Sequence, residues 1–141
     1  MNATCRLFAG ALALGVAVPA AAAAMTSALP EPETQNGITY LSGGIGRTEA
    51  QAMKEEARLY PLSMTFSANK DNEFLANVRV TIKKPSGKMV LSTLSPGPIM
   101  LIRLPAGKYV VAARANGKTY RHSVEVKAKG DTPLRFHWPH A

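Results

Sequence analysis

The chain reads as a single mainly β domain, an antiparallel β-sandwich of seven strands preceded by one short strand and one α-helix. Three observations carry that reading. From Leu62 onward apolar and polar residues alternate with a period of two. Clusters of Gly, Pro, Asn and Ser interrupt the alternation at roughly ten-residue intervals, the spacing of short strands in a sandwich. A helical period of apolar residues occurs once, between Arg47 and Tyr60.

Residues 1–24 read as a signal peptide. Arg6 supplies a short positive region, Leu7 to Val18 an apolar core, and Ala20 to Ala24 the small residues that a signal peptidase accepts. The apolar run is too short to span a bilayer, so cleavage is expected and the protein is expected in the periplasm or the medium. Residues 25–36, with two prolines and two glutamates, read as a flexible leader. The segment 37–61 then holds a short strand (Gly37 to Leu41), a glycine-rich turn (Ser42 to Gly46) and the helix. In the helix Ala50, Met53, Ala57 and Tyr60 form one apolar stripe; Thr48 is placed to cap its start and Pro61 to stop it.

Residues 62–138 form the expected sandwich, and 139–141 a tail. Leu62, Met64 and Phe66 alternate with Ser63, Thr65 and Ser67. After a polar loop the run from Phe74 to Lys84 sets Val78, Val80 and Ile82 against Arg79, Thr81 and Lys83. Pro85-Ser86-Gly87-Lys88 reads as a hairpin turn. Met89 to Leu94 and Ile99 to Leu104 are apolar on both faces and have no predicted orientation. Pro105 and Gly107 open the next strand, and Asn116-Gly117 has the residues a two-residue type I′ turn requires. That loop length sets the register: Tyr109 opposite Val124, Val111 opposite His122, Ala113 opposite Tyr120. Tyr120, His122, Val124 and Val126 are expected inward, with Thr119, Arg121, Ser123, Glu125 and Lys127 outward. Leu134, Phe136 and Trp138 close the pattern, facing away from Arg135 and His137.

Composition bounds the chemistry. The only cysteine, Cys5, lies in the signal region, so the mature chain has no thiol for catalysis, zinc binding or a disulfide. Removing Arg6 leaves 16 basic and 9 acidic residues. For an exported protein such a balance points to an anionic envelope polymer or another envelope protein rather than to nucleic acid. Lys83, Lys84 and Lys88 form the densest basic group and sit around a turn. Gly44, Gly46 and Arg47 form a second candidate anion contact, where backbone N–H groups meet a helix start. No Gly-x-Ser-x-Gly nucleophile turn occurs, and no carboxylate pair stands at a spacing that would bring it together on the helix. No catalytic, cofactor or metal residue is assigned, and the chain is expected not to be an enzyme.

The run from Leu75 to Val126 resembles the carboxypeptidase regulatory-like domain, a transthyretin-like (prealbumin-like) relative of the immunoglobulin-like sandwiches. The shared residues are Val78-Arg79-Val80-Thr81-Ile82, the turn Pro85-Ser86-Gly87-Lys88, and Leu104-Pro105-Ala106-Gly107-Lys108-Tyr109 with the strand and hairpin that follow. The resemblance implies a non-catalytic folding, spacing or binding module. The mature chain is also similar to small exported proteobacterial proteins of unassigned function that open on Gly-Ile-x-Tyr-x-Ser-Gly-Gly-Ile-Gly, here Gly37 to Gly46.

Two alternatives stand beside that reading. Hydroxyisourate hydrolases share the transthyretin-like architecture and carry Tyr-Arg-Gly-Ser at their C-terminus. This chain has Tyr120-Arg121-His122-Ser123 within a hairpin strand, where Arg121 and His122 point to opposite faces. A periplasmic metal-binding protein would draw on His122, His137 and His140, the last two flanking Trp138-Pro139.

Overall fold

A computed structural model describes residues 29–140. The expected signal peptide and its cleavage point lie outside the described residues. Two short strands come first, β1 (Glu33–Gln35) and β2 (Ile38–Gly43), then the helix α1 (Arg47–Glu56), which tightens into a 3-10 turn (Ala57–Leu59). Eight strands follow: β3 (Leu62–Ala68), β4 (Glu73–Phe74), β5 (Val78–Lys83), β6 (Met89–Ser95), β7 (Ile99–Ile102), β8 (Gly107–Ala115), β9 (Lys118–Val126) and β10 (Thr132–Trp138). They build two sheets. One runs β1-β2-β7-β3-β10 with β4 beside the end of β3, and the other runs β6-β5-β8-β9.

The period of two puts one face of each sheet into a common core. Leu62, Met64 and Phe66 of β3, Val78, Val80 and Ile82 of β5, and Tyr109, Val111 and Ala113 of β8 all pack there with Phe136 and Trp138 of β10. The predicted β8–β9 register is the observed one, Tyr109 opposite Val124, Val111 opposite His122 and Ala113 opposite Tyr120. Asn116 (φ 50°) and Gly117 (φ 75°) supply the two positive φ angles of that hairpin.

The orientation of β7, undefined in the sequence, follows from a third layer. Met100 and Ile102 face the sandwich core, while Ile99 and Leu101 join Leu41, Ala50, Met53 and Tyr60 in a second cluster beneath α1. A strand covered on both sides must be apolar on both sides. Thr48 does not cap the helix. The N-cap is Gly46, and the Glu49 carboxylate instead reaches back to accept the Gly44 amide at 2.6 Å and the Ile45 amide at 3.3 Å.

Four expectations need correcting. The sandwich is not wholly antiparallel, because β10 lies parallel to β3 from Thr132–Leu62 to Trp138–Ala68. The strand expected from Phe74 to Lys84 is broken: Asn77 takes φ 60°, β5 starts at Val78, and Phe74 belongs to the two-residue β4. His122 points inward but remains exposed on the edge strand β9, with the edge-on ring of Phe136 4.7 Å away. The leader segment ends in structure, with β1 pairing with β2 across Asn36-Gly37. The Gln35 carboxamide then docks on β6, donating to the Ser92 carbonyl at 3.1 Å and accepting the Ser92 amide at 2.7 Å. This side chain completes hydrogen bonds that an unpaired sheet edge would leave open.

Candidate functional site

At one end of the sandwich the β5–β6 turn, the Pro105–Gly107 turn and the β1–β2 hairpin enclose a cleft of about 840 Å³. The Lys84 amide donates to the Lys88 carbonyl and the Gly87 amide to the Lys84 carbonyl, so this turn is closed from both sides, at 2.9 and 2.8 Å. Lys84, Lys88 and Lys108 line the cleft around an apolar floor that includes Ile38, Val90 and Tyr109; among the described residues no acidic one lines it, although Glu125 stands opposite Lys108 in the β8–β9 register. The Tyr109 hydroxyl donates to the Pro105 carbonyl at 2.8 Å and holds the turn that presents Lys108. Burial pushes the Tyr109 phenol above its ordinary pKa, so it stays a neutral donor at the cleft. Chemically the cleft sets three lysines beside apolar surface, which suits an anion carried on a larger, partly apolar body.

The structure divides the predicted lysine group. Alternation along β5 leaves Lys83 on the outer face of the four-stranded sheet with Arg79, Arg114 and Arg121, while Lys84 and Lys88 line the cleft. Lys108 completes the cleft from 20 residues further along; only the folded turns bring it there. Gly44, Gly46 and Arg47 line a separate hollow with Lys54 and Phe74 beside α1. There the Gly44 amide is already held by Glu49, the chain's own carboxylate.

The histidines are dispersed. His122 packs against Phe136 between the sheet edges, whereas His137 lies on the opposite side of β10 with its Nδ1 3.0 Å from the Ser67 hydroxyl. Among the described residues no three His, Cys, Asp or Glu side chains gather into one group. Within Tyr120-Arg121-His122-Ser123, Tyr120 stacks edge-on with Trp138 at 5.4 Å on the inner side, and Arg121 lines the outer face.

These features define a two-sheet β-sandwich with a helix layered on one sheet and cationic surface at its end and on its bare face. Residues 62–135 match the Rhizobiales growth-associated tandem repeat domain, and the chain belongs to that family. The matched span runs from β3 into β10, so β1, β2 and α1 are added to the repeat unit on its N-terminal side. No curated protein sequence matches the chain. Among solved structures it is similar to BcpA, the major pilin subunit of Bacillus cereus, at 14% identity and a TM-score of 0.46; the match covers 57% of this chain and 29% of the pilin. Among the described residues no helix is long and apolar enough to cross a membrane.

Proposed function

We propose that the protein is an exported, non-catalytic binding or accessory module of the cell envelope whose end cleft engages an anionic envelope polymer. The observation that carries this reading is the gathering of Lys84, Lys88 and Lys108 around one cleft that, among the described residues, no acidic one lines. The opening 24 residues support export. Membership of a tandem repeat family fits a module used by accretion rather than by reaction. The resemblance of Leu75 to Val126 to the carboxypeptidase regulatory-like domain, a spacing and binding unit in larger proteins, points the same way.

Sedimentation with cell-envelope fractions tests the reading. The wild-type protein should pellet with the envelope, and Lys84→Gln combined with Lys88→Gln should release most of it. Equal retention of the double variant, or wild-type protein left wholly in the supernatant, contradicts the cleft as the contact.

A further inference from the structure

The bare face of the four-stranded sheet carries a second concentration of positive charge, and pairing across three strands creates it. Along β5 the outward residues are Arg79, Thr81 and Lys83; along β8 they are Arg114, Ala112 and Val110. The register sets Arg79 directly opposite Arg114, Thr81 opposite Ala112, and Lys83 opposite Val110. On the far side β9 places Thr119 beside Arg114, Arg121 beside Ala112 and Ser123 beside Val110. The small side chains of Thr81 and Ala112 thus form the floor of a shallow hollow, and Arg79, Arg114, Arg121 and Lys83 stand around it. None of the four has an ion-pair partner among the described residues.

Two like charges directly opposite each other on neighbouring strands destabilise a sheet. The Arg79–Arg114 pair therefore weakens the isolated protein, and an anion seated between them would relieve that repulsion. Strand spacing of about 4.8 Å and a two-residue repeat of about 6.8 Å distribute the cations over a flat patch roughly one to two sugar rings across. Guanidinium groups favour planar, bidentate partners, which a carboxylate supplies. Thr81 and Thr119 add hydroxyls able to bond those of a sugar. Among the described residues the face has no aromatic ring on which a nucleobase would stack. Val110 and Ala112 at its centre are small and half-buried, and the larger exposed apolar side chains, Leu94 opposite Arg79 and Met89 opposite Lys83, stand on the edge strand β6, so vesicles are a necessary comparison.

We infer that this face binds an acidic polysaccharide through carboxylates held by Arg79, Arg114 and Arg121, with Lys83 at the margin. The inference rests on the reading of the chain as a binding module and adds a second anion-binding surface, separate from the end cleft. Polygalacturonate is the probe, with uncharged dextran, duplex DNA and phosphatidylglycerol vesicles as comparisons. The full protein should bind polygalacturonate in low salt, ignore dextran, and prefer polygalacturonate to DNA and to vesicles. Each Arg→Gln substitution at 79, 114 or 121 should weaken binding by roughly tenfold, the loss of one charge-assisted contact.

Arg114→Gln should also raise the thermal midpoint in low salt, and the gain should shrink in high salt as screening removes the repulsion. A merely structural arginine would do the reverse. Binding lost in the Lys84→Gln, Lys88→Gln double variant but kept in the arginine variants overturns the inference while leaving the cleft reading intact. Absence of polygalacturonate binding, or tighter binding to DNA or vesicles, overturns it as well. Envelope sedimentation, which does not depend on this polymer, then decides the broader reading by itself.

Discussion

Two residues show how tightly the ends of the sandwich are specified. Gly97 is buried where the β6–β7 connection crosses β2, and a Cβ placed there would overlap the backbone carbonyl of Gly43. The neighbouring Ser95 hydroxyl fixes the same turn by donating to the Gly97 carbonyl at 2.8 Å. Gly97→Ala should therefore destabilise the fold by about 1–3 kcal/mol, the usual cost of forcing extra volume into packed structure, as read from urea midpoints. Tyr109→Phe should cost about 1 kcal/mol by removing the bond to Pro105. It should also change the alkaline limb. Burial raises the Tyr109 pKa, so its contribution is complete below the unfolded value near pH 10 and is lost as pH rises through the folded value. As pH rises past about 10 the variant should lose less stability than the parent protein. An identical slope for both would mean that Tyr109 is not buried as described.

At the scale of elements, the β8–β9 hairpin was legible because every determinant is local: a two-residue Asn-Gly turn and strict alternation on the return strand. Val111 and Val124 both lie in the core, so Val111→Ala or Val124→Ala should cost about 1–3 kcal/mol, whereas Lys127→Ala should stay within roughly 0.5 kcal/mol. Denaturant midpoints in the opposite order would shift the hairpin by one residue. The same Asn-Gly signal stands at Asn36-Gly37 (φ 52° and 77°), yet β1 is only three residues long and sits in a proline-containing segment that composition assigns to a leader. What fixes β1 is long-range, the Gln35 clamp on Ser92 and the pairing with β2. The same holds for β7, whose two apolar faces make sense only once α1 covers one of them, and for the parallel β3–β10 pair, which no local pattern announces.

For the whole molecule, the excess of positive charge was plain in the composition, and its arrangement was not. Lys84 and Lys88 are close in sequence and stay together, but Lys108 joins them only through the packing of two turns. Arg79, Arg114 and Arg121 are each outward by alternation, yet they become one group only because β8 lies between β5 and β9. A helix shields one outer face of the sandwich, and the other, bearing these cations, is left bare by the described residues. The central claim is that these cationic surfaces, the end cleft first among them, hold the protein on anionic envelope material. At 0.1 M salt charges are screened beyond about 10 Å, and at 1 M beyond about 3 Å, so an attraction of this kind must weaken as salt rises. The direct measurement is the fraction of wild-type protein retained on isolated cell envelopes as sodium chloride is increased. The account predicts strong retention in low salt and steep, reversible release as screening shortens; retention that does not change with salt would contradict it.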